Sequence, residues 1–188
     1  MPEVIEVRQD AFKVSKEPDV LRTSNVGDCL VLTLYDNNGV GGLAHIFIST
    51  KKRKLLLYNY FALYFPVFHK SIVTADVVVD EMLVEMSKYG SDLKEVTAKI
   101  AGEQDKVTRR GILKWNSRGN RKSRIVRQEL REYGIPIVAE DLGGSPYRGR
   151  NVELDLSTGI MNVTYVQRTK KRKHFGKSEI KVLGYNTF

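Results

Sequence analysis

Cys29-Leu30-Val31-Leu32-Thr33-Leu34-Tyr35, followed by Asp36-Asn37-Asn38-Gly39 and then by Leu43-Ala44-His45-Ile46-Phe47-Ile48, is the stretch from which the fold is read. Its first part is β-rich and almost continuously apolar, the pattern of a strand buried on both faces. Asp-Asn-Asn-Gly supplies a tight turn, and Gly41-Gly42 lead into the second apolar run. Together they predict a hairpin inside a sheet that is covered on both sides.

Moving outward, Val4 to Val7 reads as a short strand and Glu17-Pro18-Asp19 as a turn. Val79, Met82, Leu83 and Met86 recur at helical spacing and predict a helix that ends before Gly90, with its methionines filling core. Val96 to Ala101 predicts a strand. Val126, Leu130 and Tyr133 predict a second helix stopped by Gly134 and Pro136, with Arg121, Arg124, Gln128 and Arg131 on its opposite face. Ile135 to Ala139, Asn151 to Leu156 and Ile160 to Val166 read as strands, the last two joined by Ser157-Thr158-Gly159. The aromatic stretch holding Tyr58, Tyr60, Phe61, Tyr64, Phe65 and Phe68 fits either a strand or a loop packed over a pocket. Two helices among many strands, with no regular alternation and no internal repeat, indicate an α+β fold.

A chain of 188 residues fits one domain, or one domain with a tail. With 41% hydrophobic and 28% charged residues it is neither disordered nor fibrous. The longest apolar run, Leu55 to Phe68, is interrupted by Asn59 and Pro66 and falls short of a bilayer span, so no membrane insertion is expected. Glu3, Glu6 and Asp10 make the start unlike a secretory signal, and a soluble cytoplasmic protein is expected. A single cysteine builds neither an internal disulfide nor a thiolate-rich zinc site. His69 and His174 have no partner at metal-ligand spacing and read as structural or surface residues. Gly143-Gly144 lacks the following Lys-Ser/Thr of a phosphate loop and reads as a tight turn.

The net charge of +9 is concentrated in two zones. Residues 109–131 carry 9 basic and 1 acidic side chains, and residues 168–188 carry 7 and 1, while the rest is slightly acidic. Such zones attract nucleic acid, acidic proteins or anionic headgroups. Trp115 beside Lys114 and Arg118 is one aromatic in a basic run, for which packing is preferred to base stacking. Nucleic acid is therefore not the expected partner, and a basic nucleic-acid-binding module stands as the lesser alternative.

The thiol sits in a suggestive place. Ser24-Asn25-Val26-Gly27-Asp28 is turn-like, and Cys29 opens the strand that follows. Backbone N–H groups at such a junction can face a tetrahedral oxyanion. His45 lies on the next strand of the hairpin, from which an imidazole can reach the thiol. An imidazole so placed lowers the apparent pKa of the thiol and then protonates the leaving group. Thr23 is the candidate third member, its hydroxyl orienting the imidazole through the nitrogen turned away from sulfur.

These residues carry a family resemblance. Thr23, Cys29 and His45, set in Val26-Gly27-Asp28-Cys29 and Gly42-Leu43-Ala44-His45, resemble the chemoreceptor glutamine deamidase family CheD. The likeness continues through Ala75-Asp76-Val77, Ala98-Lys99-Ile100-Ala101-Gly102, Gly119-Asn120-Arg121, Val138-Ala139-Glu140-Asp141-Leu142-Gly143-Gly144 and Arg148-Gly149-Arg150. It covers roughly residues 3–167, leaving 168–188 as a basic C-terminal extension. The resemblance implies a three-layer α/β/β sandwich with mixed sheets and two main helices. It also implies hydrolysis of receptor glutamines to glutamate, with glutamyl methyl esters open to the same chemistry. Cys29 would be the nucleophile, His45 the acid/base and Thr23 its orienting residue. Gly27 and Asp28 would lie against the substrate, no cofactor or metal would be required, and the partners would be methyl-accepting chemoreceptors and the phosphatase CheC. Three positions depart from the family pattern: Asp28 stands for the usual Ser, Glu103-Gln104 for Gly-Ala, and Lys122 for Asn. A carboxylate beside the thiol disfavours thiolate, so a catalytically weak CheD-like regulator is the main alternative.

Overall fold

The computed structural model describes residues 1–47, 49, 73–104, 106–108, 111–113, 121–144, 148–167 and 182–188. The aromatic stretch, His69, Trp115, His174 and much of both basic zones lie outside the described residues.

In chain order the elements are β1 (Val4–Glu6), β2 (Ala11–Lys16), β3 (Val20–Val26), β4 (Leu30–Tyr35), β5 (Val40–Ile46), α1 (Val78–Lys88), β6 (Thr97–Gly102), β7 (Lys106–Thr108), β8 (Gly111–Leu113), α2 (Arg121–Glu132), β9 (Ile137–Leu142), β10 (Arg148–Asp155), β11 (Met161–Gln167) and β12 (Val182–Thr187). They form one sheet ordered β1-β3-β10-β11-β12, a second ordered β2-β5-β4-β6-β9, and a small β7-β8 ribbon. Both large sheets are mixed, with β1 parallel to β3 and β6 parallel to β9. The α+β class expected from the element pattern is the one found.

The core separates into two clusters, and these define three layers. Leu30, Leu32, Leu34, Ala44, Ile46 and Ile100 face Val79, Met82 and Met86 of α1 and Val126 and Leu130 of α2. On the other face of the same strands, Cys29, Val31, Leu43 and Ala101 meet Leu21, Val152, Leu154 and Val163 of the first sheet. β4 is thus buried on both faces, which is why its sequence shows no polar alternation.

The β4–β5 hairpin forms with Leu30 opposite Ile46 and Val31 opposite His45. β5 begins earlier than its apolar run and takes in both glycines. A Cβ on Gly41 would lie 2.6 Å from Leu156 Cδ2, and one on Gly42 would lie 2.7 Å from Met82 Cε. At Gly41 the backbone carbonyl of Leu34, 2.9 Å from such a Cβ, also stands in the way, whereas at Gly42 the flexible end of Met82 would have to move aside. Ser24 to Val26, turn-like in sequence, complete β3 instead. Val26 pairs with Arg150 of β10 across an irregularity in register, near which Asn25 takes a φ of 61°. Tyr133 lies past the end of α2, 49% exposed, and its hydroxyl donates to Asp80 at 2.7 Å. β12, within the C-terminal segment, pairs with β11 and adds the outer strand of the first sheet.

The hairpin turn is held by one buried carboxylate. Asp36 is fully buried; its Oδ1 accepts from the backbone N–H groups of Asn38 at 3.0 Å and Val40 at 2.9 Å, and its Oδ2 from Asp92 N–H at 3.0 Å. Asp36→Ala leaves three backbone donors without their acceptor, and an expected loss of about 2–4 kcal/mol is measurable from the urea midpoint.

Candidate active site

Thr23, Cys29 and His45 come from both sheets. Thr23 is on β3, where it pairs with Val152 of β10; His45 is near the end of β5; Cys29 immediately precedes β4. Their side chains enter the space between the sheets and are buried, with 1%, 6% and 4% exposure for Thr23, Cys29 and His45. Because Val31 is opposite His45, Cys29 is the diagonal neighbour of His45 on the same face of the sheet.

Hydrogen bonding fixes the imidazole. Thr23 Oγ1 lies 2.7 Å from His45 Nδ1 and 2.7 Å from the carbonyl oxygen of Val7. A hydroxyl has one proton and a carbonyl only accepts, so Thr23 donates to Val7 O and accepts from Nδ1–H. The neutral ring therefore carries its proton on Nδ1 and an open lone pair on Nε2. That Nε2 is buried and has no hydrogen-bond partner among the described residues. Burial lowers the His45 pKa, with the Asp10 carboxylate opposing weakly, so near neutral pH the ring is a neutral base.

The thiol is held protonated. Burial, then the charges of Asp28 and Asp10, push Cys29 up to about 11, against Lys122 and the Gly27 backbone N–H, which pull it down. Thiol and neutral imidazole are thus the resting pair, and a base must take the thiol proton during attack. Gly27 is buried and Asp28 half-buried in the bend before Cys29, and Gly27 O accepts from Gln104 N–H at 3.1 Å.

Sequence reasoning missed the support around this group. Cys29 O accepts from Glu103 N–H at 2.7 Å, and Gly102, with φ 120°, lies against the same carbonyl. The Glu103 carboxylate caps α2, accepting from Lys122 N–H at 3.2 Å, Ser123 N–H at 3.3 Å and Ser123 Oγ at 2.5 Å. Lys122 falls on the stripe of Val126 and Leu130 at i, i+4 and i+8, a signal available in the sequence. Arg150 closes the same end of the sandwich: its Nη2 donates to Asp141 Oδ1 at 3.1 Å and to Gly143 O at 2.6 Å. Tyr165 donates to Asp141 Oδ2 at 2.6 Å, and its ring lies 5.4 Å from the Arg150 guanidinium carbon. Among the described residues no cluster of three or more His, Cys, Asp or Glu could hold a metal, and no helix is long and apolar enough to cross a membrane.

Residues 69–165 match the family model described as CheD chemotactic sensory transduction. The chain is 34% identical over 156 residues to a protein of Clostridium tetani named probable chemoreceptor glutamine deamidase CheD, covering 82% of this chain and 87% of that one. Proteins of the same name from Haloarcula marismortui and Archaeoglobus fulgidus are also 34% identical, over 84% and 82% of this chain and 83% and 88% of theirs.

Proposed function

The chain belongs to the CheD family, and from that premise we propose that it is a protein-glutamine deamidase, with Cys29 as nucleophile, His45 as acid/base and Thr23 as the residue that orients His45. The observation that carries the assignment is the Val7–Thr23–His45 relay, which leaves the Nε2 lone pair buried and open on a residue diagonal to Cys29. A buried nitrogen without a partner costs stability, and a proton-accepting role accounts for its being kept open.

The reaction runs in two steps. Nε2 takes the thiol proton as sulfur bonds to the glutamine carboxamide carbon, and the imidazolium returns that proton to nitrogen as the C–N bond breaks. The products are a thioester and ammonia. Water, deprotonated by the same Nε2, then adds to the thioester; the C–S bond breaks, leaving glutamate and the thiol. A glutamyl methyl ester enters the same path with methanol as leaving group. The chemistry uses no cofactor. Gly27 and Asp28 border the entering substrate.

The relatives are named for chemoreceptors, which supports a chemoreceptor substrate; methyl-accepting chemoreceptors, modified on the cytoplasmic side, are the proposed reading. CheC phosphatase is the proposed regulatory partner. Residues 1–167 are taken as the deamidase domain, and the basic zones 109–131 and 168–188 would steer it toward acidic receptor helices.

The test is mass spectrometry of a purified chemoreceptor cytoplasmic fragment incubated with the protein. Discrete glutamines are expected to gain about one dalton as NH₂ is replaced by OH, and Cys29→Ala to abolish the gain. An unchanged gain with Cys29→Ala removes the nucleophile assignment. No gain with any receptor, while CheC or receptor binding persists, makes the protein a regulator.

A further inference from the structure

Lys122 is on the first turn of α2, and only 6% of it is exposed. A lysine buried to that degree is costly unless an opposite charge lies close. Among the described residues no carboxylate oxygen comes within 4.0 Å of its ammonium. The nearby Glu103 carboxylate is spent elsewhere, on Lys122 N–H, Ser123 N–H and Ser123 Oγ. Glu103 also ties this turn to the candidate nucleophile, since its own N–H donates to Cys29 O at 2.7 Å. One residue therefore links the backbone of Lys122 to that of Cys29.

We propose that the missing partner of Lys122 is the sulfur of Cys29 in its negative form, and that Lys122 stabilises that charge while the thiol attacks the carboxamide. Resting on the reading of Cys29 as nucleophile, this makes the buried ion pair transient: the thiol proton passes to His45 Nε2, and the sulfur it leaves faces the ammonium. The groups that bear on the sulfur agree. Asp28 and Asp10 act against its negative charge, His45 is neutral, and Lys122 is the cation acting in its favour. Such a cation is needed because Asp28 stands directly before the thiol.

The test compares alkylation of Cys29 by iodoacetate and by iodoacetamide in the full-length protein. The reagents are close in size but differ in charge, so the ratio of their rates cancels accessibility and reports the local potential. Lys122→Met and Lys122→Gln are expected to lower that ratio by about three- to thirtyfold and Lys122→Arg to restore most of it, with all ratios equal in denaturant. Deamidation by Lys122→Met is expected to fall about tenfold through kcat. A ratio unchanged in folded Lys122→Met or Lys122→Gln overturns the proposal, even where wild-type deamidation is intact. If wild type does not deamidate but the ratio falls, the charge pairing stands and the assigned reaction fails.

Discussion

His45→Ala is expected to lower kcat/KM for receptor deamidation by about 10³–10⁴-fold near neutral pH while leaving the protein folded. With Cys29 pushed up to about 11, roughly one molecule in 10⁴ carries a thiolate at neutral pH, so a pre-formed nucleophile contributes little. The proton must leave as the C–S bond forms, and the proposed base is the open Nε2 of His45, the diagonal neighbour of Cys29. The pH profile separates this from a structural effect. Burial lowers the His45 pKa, so its base form persists below the ordinary imidazole value. The wild-type rate is then expected to be flat from neutral into mildly alkaline solution and to fall on the acid side with a midpoint below about 6.5. In His45→Ala that acid limb disappears along with the rate. A variant that keeps its rate within tenfold, or keeps the same acid limb, would show that another group is the base. Thr23 enters through this argument, because its hydroxyl is what holds the Nδ1–H tautomer.

Gly102→Ala is expected to be the most damaging single-atom-scale change in the fold, costing about 3–5 kcal/mol. At φ 120° an L side chain is strained, and the added Cβ would lie 2.2 Å from Cys29 O, a backbone atom that no rotamer change can move. Relief requires β6 and the start of β4 to separate, which breaks the Glu103 N–H to Cys29 O bond of 2.7 Å. Urea unfolding should show the drop, and any folded fraction should also have lost Cys29 reactivity. A midpoint within about 1 kcal/mol of wild type would mean that the two strands are free to part, contrary to the packing around them.

The two predictions differ in how far the sequence anticipates them. The continuous apolar run of β4, the turn at Asp36 to Gly39, the stripe of Val79, Met82, Leu83 and Met86, and the spacing of Thr23, Cys29 and His45 are local patterns, read without coordinates. Each depends on neighbours in the chain, through side-chain periodicity and turn chemistry. β3 was not legible, because Ser24-Asn25-Val26 has a turn's composition and becomes strand only by pairing with β10, more than a hundred residues later. Nor did the sequence show why Gly41, Gly42 and Gly102 are glycines, since their constraint is the closeness of Leu156, Met82 and Cys29 O.

By itself, then, the sequence determined the α+β class, the hairpin that carries Cys29 and His45, and the identity of the residues able to do thiol–imidazole chemistry. Tertiary structure alone decided that Thr23 crosses from the other sheet to set the tautomer, that Glu103 joins α2 to Cys29, and that Lys122 is buried with no carboxylate partner among the described residues. The physical reason is one of range. Periodicity and turns are settled between residues a few positions apart, whereas hydrogen-bond roles and buried charge depend on groups that only the packing of the layers brings within 3 Å.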